Sequence, residues 1–295
     1  MKQILFIYNP VAGTGKIKKN LYEIVEFYNN NDYLVTLYPV IKLNMLGDIL
    51  KDEEQKYDII VCSGGDGTIS MLFSYYMQNN IKKPIAYIPS GSTNDYAYSL
   101  GIPDSFSEAL LTTIQGQAKL FDIGKFSTDK YFLYVAAFGM FTDVSYNTPQ
   151  KSKNMLGHAA YILEGIYHLS EIKSYQMVIK CDNQIYNDRF ILGLVTNSLS
   201  IGGFKSIMPK DVELDDGRFE AILIKMPQNV IEIHNIISSL ILESLDSNPY
   251  IIYCKTNQLE IVSDEEVAWT LDGEFGGRIK NVEIYNLRKE IEIIV

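Results

Sequence analysis

The chain has 295 residues, of which 47% are hydrophobic and 21% are charged, and both fractions are typical of a globular protein. These values exclude a disordered chain, a collagen-like fibre and a coiled coil, and a mean hydropathy of −0.01 excludes a multi-span membrane protein. A formal net charge of −10 argues against a non-specific nucleic-acid binder, because such a protein needs a basic face.

The first 120 residues alternate between strand and helix patterns. Strands are predicted at residues 4–8, 33–40, 57–62 and 83–88, and helices at residues 18–29, 69–77 and 106–116. The run at 57–62 is continuously apolar, which is typical of a strand buried on both faces. This order predicts an α/β domain with a Rossmann-like open parallel sheet over residues 1–122.

Residues 123–295 show a different pattern and are predicted to form a mostly antiparallel β-sandwich domain. Two helices are expected within it, at residues 155–169 and 230–245, and the second is too short to span a bilayer. The sequence does not decide where the last strand, at residues 290–295, pairs, and a return to the first domain is one alternative. With no flexible linker at the boundary, the active site is expected in a cleft between the two domains.

The start of the chain and the three cysteines indicate the cellular compartment. The apolar run at residues 4–7 is too short for a signal peptide and predicts a first strand, so a cytoplasmic protein is expected. The three cysteines are far apart and form no CxxC pair, which argues against a disulfide scaffold and a structural zinc site. Cys62 lies in an apolar run and is expected to be a buried structural thiol.

Three glycine-rich loops follow predicted strands, at residues 9–16, 63–68 and 89–95. The carboxyl ends of parallel strands line one crevice, so these loops are expected to converge on one site. Glycine lets the backbone approach a ligand closely and turn its N–H groups inward, which suits a phosphate. Neither GxGxxG nor the Walker pattern occurs, which disfavours a dinucleotide dehydrogenase and a P-loop enzyme.

Carboxylates inside and beyond these loops indicate a divalent cation. Asp66 lies among backbone donors, where an acidic group makes sense if Mg²⁺ accompanies the phosphates, and Asp95 follows on the third loop. Asp95 is alternatively the N-cap of a helix that starts at Tyr96. Two Asp-Gly pairs, at residues 216–217 and 272–273, are each a turn signal when taken alone.

Together these motifs resemble the diacylglycerol kinase catalytic family, in its soluble bacterial lipid-kinase branch. The resemblance covers essentially the whole chain, and its most specific motif is Gly-Gly-Asp-Gly-Thr at residues 64–68. That motif alone is shared with NAD kinases and resembles one of phosphofructokinases, whose folds are expected to be similar. Ser92 replaces the threonine of the third-loop motif and retains the hydroxyl. The remaining matches are Asn9, Pro10, Gly13, Gly15, Pro89, Gly91, Asn94, Asp95, Leu156, Gly157, Tyr161, Gly202, Gly203, Pro209, Asp216, Gly217 and residues 272–274.

The resemblance implies cofactors and a role for each matched residue. Glu274 would be the general base toward a lipid hydroxyl, while Asp66 and Asp95 would organise catalytic Mg²⁺. A second, structural Mg²⁺ would be held by the side chain of Asp216 and by main-chain groups of Glu213 and Arg218. The residues implied in ATP binding are Asn9, Pro10, Ala12, Gly13, Gly64, Gly65, Asp66, Gly67, Thr68, Thr93 and Asn94.

The implied function is an ATP- and Mg²⁺-dependent lipid kinase, with conversion of diacylglycerol to phosphatidate as the first candidate reaction. A membrane lipid as substrate implies a transient peripheral membrane contact, for which Lys151 and Lys153 are candidates. Two alternatives stay open, a kinase of a soluble substrate of the NAD-kinase type and a non-catalytic lipid- or nucleotide-binding protein. The oligomeric state is open too, with a homodimer as one alternative.

Overall fold

The computed structural model describes residues 1–40, 50, 56–127, 129–140, 173–203, 211–242 and 244–295. The described chain divides into two compact units, of which unit 1 comprises Met1–Phe121 with Lys289–Val295 and unit 2 comprises Asp122–Arg288. The first division lies one residue before the predicted boundary at 122/123, and the last seven residues belong with the first unit. The helix predicted at residues 155–169, Lys151 and Lys153 lie outside the described residues.

Unit 1 contains a parallel sheet in the order β2-β1-β3-β4, and Ile293 and Ile294 extend it by pairing parallel to β4. The inner strands β1, β3 and β4 are buried almost throughout, as expected for strands covered on both faces, whereas the edge strand β2 alternates. The elements are β1 (Lys2–Tyr8), a 3₁₀ turn (Lys16–Asn20), α1 (Leu21–Asn30), β2 (Tyr33–Pro39), β3 (Ile59–Gly64), α2 (Asp66–Asn79), β4 (Ile85–Pro89), α3 (Asp95–Leu100) and α4 (Phe106–Gln115). The short helix α3 corresponds to the helix expected to start at Tyr96 and begins one residue earlier, at Asp95.

Unit 2 is rich in antiparallel strands, as predicted. Its elements are β5 (Ala118–Phe126, which begins in unit 1), β6 (Lys130–Phe132), β7 (Val135–Gly139), β8 (Tyr175–Cys181), β9 (Gln184–Thr196), β10 (Phe219–Lys225), α5 (Val230–Ile241), a 3₁₀ turn (Leu245–Ser247), β11 (Ile251–Thr256), β12 (Gln258–Leu271) and β13 (Glu274–Ile294, which ends in unit 1).

Two long strands of unit 2 pair with different neighbours along their length. The first part of β9 pairs with β8 and its second part with β7 and β10, while β12 pairs with β8 through residues 259–263 and with β7 through residues 269–271. Trp269 of β12 is 1% exposed and its ring lies 5.1 Å from that of Phe126 and 4.9 Å from that of Phe138. This aromatic cluster fixes the strand from which the Asp272–Gly273 turn projects.

The cysteines only partly follow the prediction. Cys62 is fully buried and burial raises the pKa of its thiol to about 12, which fits a structural thiol. Cys181 of β8 and Cys254 of β11 form a disulfide, with Cα atoms 7.2 Å apart, which the sequence analysis did not foresee. Their separation of 73 residues carries no signal of proximity, because β8 and β11 come together only in the folded unit.

Within the described part of the chain, no helix combines the length and the apolar character needed to cross a membrane.

Candidate functional site

The structure brings the three glycine-rich loops of unit 1 together at the carboxyl ends of β1, β3 and β4. Asn9 Nδ2 donates to Thr68 Oγ1 over 3.2 Å, which joins the first loop to the second. The main-chain N–H of Ser90 donates to Gly64 O over 2.8 Å, which joins the second loop to the third. The predicted convergence therefore exists in the structure, although the roles assigned to individual loop residues stay predictions.

Two glycines make the close approach between these loops sterically feasible. A Cβ added to Gly91 would lie 2.5 Å from the Cα of Gly65, and one added to Gly13 would lie 2.5 Å from the carbonyl oxygen of Ser90. Gly13 also has a φ of +53°, a left-handed conformation that other residues rarely adopt. Main chain thus meets main chain at these two positions, where a side chain would block the approach.

Asp66 lies in the first turn of α2, but its carboxylate accepts hydrogen bonds from a different helix. Its Oδ2 accepts from the main-chain N–H of Asp95 over 3.1 Å, and its Oδ1 accepts from that of Tyr96 over 3.0 Å. These two N–H groups belong to the first turn of α3, where a helix needs external acceptors. Asp66 therefore caps α3 from the neighbouring loop.

The predicted alternative role of Asp95 as an N-cap is wrong. Asp95 is the first residue of α3 and is 3% exposed, and the N-cap position is held by Asn94 with a φ of 57°. The Asn94 side chain instead closes its own loop, since its Oδ1 accepts from Gly91 N and its Nδ2 donates to Gly91 O. The main chain of buried Asp95 thus lies beside Asp66, and the role of the two carboxylates in organising a cation stays a prediction.

The other predicted nucleotide residues lie on the same three loops. Pro10, Ala12, Gly65 and Gly67 are partly exposed, and Thr93 is exposed. The hydroxyl of Tyr87 on β4 donates a hydrogen bond to Gly64 O over 3.2 Å and so supports the second loop. Burial, together with the charges of Asp66, Cys62 and Asp95, holds the pKa of Tyr87 well above its usual range, so the hydroxyl stays a donor.

In unit 2, Asp272 and Gly273 form the two-residue turn between β12 and β13, with φ values of 51° and 84°. The Asp272 side chain is 4% exposed and its carboxylate accepts from the main-chain N–H groups of Leu133, Tyr134 and Val135 at 2.7–3.0 Å. Glu274, the first residue of β13, is exposed. Asp272 therefore fixes the turn, while Glu274 presents a carboxylate from a rigid support.

The predicted structural cation site lies on a loop that we call the cation loop, residues 211–218. Asp216 Oδ1 accepts from Arg218 N over 2.8 Å, and Gly217 has a φ of +84°. Leu214 O accepts from Asp122 N over 2.9 Å, and Asp215 O accepts from Arg288 Nε over 3.3 Å. These contacts hold the residues between Glu213, Asp216 and Arg218, the three predicted ligands.

A buried carboxylate adjoins the cation loop. Glu220 of β10 is 1% exposed, and burial raises the pKa of its carboxyl to about 7 although Lys255 lowers it. The charge of Asp216 raises this pKa further, so the two carboxylates repel each other. Lys255 Nζ lies 3.4 Å from Glu220 Oε1 and 3.1 Å from Asp211 Oδ2, so one lysine faces this acidic group.

Two polar residues outside the predicted site support the same loop. Asp122 is fully buried, and its Oδ2 accepts from Gly217 N over 2.7 Å. Asn197 is 1% exposed, and its Nδ2 donates to Leu214 O over 3.4 Å. Asp122 lies between apolar strand residues, and that isolation was the signal available in the sequence, whereas Asn197 lies in a polar run and left no such signal.

Side chains alone do not outline a metal site in the described part of the chain. No group of three or more His, Cys, Asp and Glu side chains is spaced to hold a metal ion there. The predicted set on the cation loop contains one carboxylate side chain with main-chain groups of two other residues, which is a different kind of donor set. Its fit therefore depends on the loop backbone and on the surrounding charge.

Comparison with known proteins identifies the family. A family model described as the diacylglycerol kinase catalytic domain matches residues 3–126. A diacylglycerol kinase of Bacillus subtilis (strain 168) is 31% identical over 297 residues, which cover 100% of this chain and 97% of that relative. A diacylglycerol kinase of Staphylococcus aureus (strain MRSA252) is 29% identical over 296 residues, which cover 99% of this chain and 92% of that relative.

A solved structure agrees with these sequence relatives. It is a crystal structure of a candidate diacylglycerol kinase from Bacillus anthracis str. Sterne, with 27% identity and a TM-score of 0.83. The match covers 99% of this chain and 95% of the other. The likeness thus extends over both units, and the chain belongs to the diacylglycerol kinase catalytic-domain family.

Proposed function

We propose that this protein transfers the γ-phosphate of ATP to the hydroxyl of a membrane lipid, with diacylglycerol as the substrate and phosphatidate as the product. The observation that carries the proposal is family membership along the whole chain, with relatives named diacylglycerol kinase. The meeting of three glycine-rich loops in unit 1 supports it, because such loops suit a phosphorylated nucleotide.

The ATP phosphates would lie on the loops at residues 9–13 and 64–68, with Thr93 and Asn94 on the third loop near the nucleotide. Gly65 is the N-cap of α2, so the first turn of that helix lies within the second loop. A helix N-terminus of this kind attracts phosphate through its unpaired N–H groups and its dipole. The close contacts at Gly13 and Gly91 keep the loops in register for this binding.

The donors around Asp66 and Asp95 fit a hard divalent cation such as Mg²⁺, because both side chains offer carboxylate oxygens close to the phosphate-binding loops. When bound, Mg²⁺ would neutralise charge on the phosphates during transfer. Asp66 has a second task, since the N–H groups of Asp95 and Tyr96 fix the direction of its carboxylate. The bonds to α3 therefore orient the Asp66 carboxylate before any ligand binds.

The cation loop also fits a structural Mg²⁺ held by the side chain of Asp216 and by main-chain groups of Glu213 and Arg218. The supporting observation is charge: Asp211 and buried Glu220 both pair with Lys255, and the charge of Asp216 raises the pKa of Glu220. A cation would relieve the repulsion between Asp216 and Glu220. Oxygen donors from a carboxylate and from carbonyl groups are those that Mg²⁺ prefers.

Glu274 would act as the general base. As the lipid oxygen bonds to the γ-phosphorus and the bond to the ADP oxygen breaks, the hydroxyl proton would pass to the Glu274 carboxylate. The buried Asp272 carboxylate, with three N–H donors, keeps the turn and the start of β13 fixed for this step. The variant Glu274→Gln tests this role.

A lipid substrate further implies a peripheral membrane contact during turnover, and a cytoplasmic location fits ATP as the phosphate donor. Both belong to this proposal, and a homodimer stays a prediction.

The test is transfer of labelled γ-phosphate from ATP·Mg²⁺ to a panel of lipids in mixed micelles, with NAD as a soluble acceptor. Wild type is compared with Asp66→Ala and Glu274→Gln, and with Glu266→Gln as a control that alters an exposed carboxylate of β12. Wild type and the control should label diacylglycerol. Asp66→Ala and Glu274→Gln should each be about 10²–10³-fold slower, as for loss of other preorganised catalytic groups.

Other outcomes would change the proposal in defined ways. Labelling of NAD without any lipid would show a soluble-substrate kinase. Labelling of a different lipid would change only the substrate, and ATP binding without any transfer would favour a binding protein. Full activity of Glu274→Gln would remove Glu274 from its role as base while leaving the reaction in place.

A further inference from the structure

The cation loop is attached to the body of unit 2 by main-chain and side-chain contacts from several elements. Asp122 of β5 contacts Leu214 and Gly217, and Arg288 of β13 contacts Asp215. At the start of the loop, Lys255 Nζ donates to the main-chain oxygen of Asp211 over 2.8 Å. The attached residues alternate with the proposed ligands Glu213, Asp216 and Arg218.

Lys255 differs from the other attachments because it is held by a buried charge. Its Nζ lies 3.4 Å from Oε1 of Glu220, which is 1% exposed. Apart from this ion pair, neither Glu220 oxygen accepts a hydrogen bond from the described residues. A buried carboxylate with a single charge partner holds that partner firmly, since water does not replace it.

The direction of the restraint follows from the strand pairing. Glu220 and Lys255 are directly opposite each other on β10 and β11, so their backbones are fixed by the sheet. Lys255 is 23% exposed along its side chain and reaches from this pair to Asp211. The sheet therefore positions the lysine, and the lysine positions the first residue of the loop.

We propose that Lys255, held by Glu220, is a positioning residue that fixes the cation loop in the conformation that binds the structural divalent cation. This inference rests on the proposed function, because it concerns a site that the proposed kinase would use. Lys255 contacts no proposed ligand side chain, so it acts through the loop backbone. Groups that orient ligands in this way commonly change metal affinity by about 10–100-fold when they are removed.

The experiment measures Mg²⁺ binding in the absence of nucleotide, so that only sites on the protein itself respond. Thermal unfolding midpoints are recorded across a MgCl₂ titration at constant ionic strength, and the Mg²⁺ dependence of kinase activity is measured separately. The variants are Lys255→Met and the double variant Lys255→Met with Glu220→Gln. The matched control is Lys225→Met, which removes a lysine of β10 that pairs with Asp188 at 3.2 Å.

The expected result is a shift in Mg²⁺ requirement without loss of catalytic capacity. The Mg²⁺ concentration for half-maximal stabilisation should rise about tenfold or more in both Lys255 variants and stay unchanged in the control. At saturating Mg²⁺ the kcat should return close to the wild-type value, because the lysine takes no part in the reaction. A residue that merely supports the fold would lower the unfolding midpoint at every Mg²⁺ concentration alike.

Opposite results overturn the proposal. Lys255→Met alone can fail to fold, since it leaves Glu220 buried without a partner, and the double variant removes that charge. Wild-type Mg²⁺ dependence in the folded double variant contradicts the role of Lys255. Absence of Mg²⁺ stabilisation in nucleotide-free wild type also contradicts it. If wild type labels no lipid while the Mg²⁺ shift is present, the proposed function fails and this inference stands.

Discussion

At the scale of single residues, the contact between Gly65 and Gly91 makes the site most sensitive to small changes. Gly91→Ala would place a Cβ 2.5 Å from the Cα of Gly65 and 2.8 Å from Asn94 Oδ1. Main chain cannot rotate away as a side chain can, so the second and third loops must separate. We expect the KM for ATP to rise at least about tenfold and stability to fall by about 1–3 kcal/mol, as for other overpacked sites.

Gly101→Ala is the control for this variant. Gly101 lies at the end of α3 with a φ of +71° and open space around its Cα, so alanine there adds backbone strain without a collision. It should cost about 1 kcal/mol and leave the KM for ATP near the wild-type value. Steady-state kinetics and urea unfolding of both variants check the pair. Equal KM changes in the two would show that the loop contact is unimportant for ATP.

Asp272 illustrates a functional-looking residue whose task is structural. Its carboxylate accepts three main-chain N–H groups while 4% exposed, so Asp272→Asn replaces an acceptor oxygen with an amide that faces donors. We expect the free energy of unfolding to fall by about 2–3 kcal/mol, the usual range for hydrogen bonds to a charged group. Urea unfolding measures the change, and Asp264→Asn, an exposed position on the same strand, should be neutral. A neutral Asp272→Asn would contradict the anchoring role.

At the scale of elements, α3 depends on a residue outside itself. This six-residue helix is too short to be stable alone, and its first N–H groups bond to Asp66. Asp66→Ala should therefore weaken α3 by about 1 kcal/mol, the typical effect of losing a cap. Hydrogen exchange of the peptide covering residues 95–101, without nucleotide, should become several-fold faster.

The peptide covering α1 in the same sample is the internal control for this experiment. Its exchange should not change, because the N–H groups that bond to the Asp66 carboxylate belong to α3 and not to α1. Uniformly faster exchange in both peptides would indicate general destabilisation. Unchanged exchange in α3 would show that Asp66 does not cap it, so any loss of activity would be due to catalysis alone.

The elements also show where sequence patterns succeed and fail. The runs that became β3 and β4 were predictable because both faces are buried and the whole run is apolar. The strands β12 and β13 are 14 and 21 residues long, but the apolar pattern of the sequence marks only short segments of them. Their exposed faces carry charged runs such as residues 264–266, and pairing with neighbouring strands extends them beyond the apolar pattern.

The candidate site likewise contains features that the sequence predicted and features that it did not. Loop convergence was predictable, because it follows from where parallel strands end and from glycine at those positions. The capping of α3 by Asp66 and the support of the cation loop by Asp122 were not, since they join residues 29 and 95 positions apart. Such contacts depend on tertiary structure and leave no local pattern.

At the scale of the whole molecule, the chain returns to its first unit at its end. Ile293 and Ile294 pair parallel to β4, and Val295 exchanges two main-chain hydrogen bonds with Gln117 at 2.9 and 3.1 Å. Ile293 is fully buried, so its side chain belongs to the core of unit 1 although 171 residues of the chain separate it from the boundary at Phe121. Unit 1 should therefore not reach full stability without the last strand.

Ile293→Ala tests this dependence. We expect a loss of about 2–4 kcal/mol, because removal of a buried isoleucine leaves a cavity that the sheet cannot close. The readout is urea-dependent hydrogen exchange of the β4 peptide, with the β8 peptide reporting on unit 2. Leu34→Ala, which shortens a 51% exposed side chain on β2, should change stability by less than about 0.5 kcal/mol. If exchange of β4 were unaffected by Ile293→Ala, the terminal strand would add nothing to the sheet that carries the nucleotide loops, and the two units would be stable independently of it.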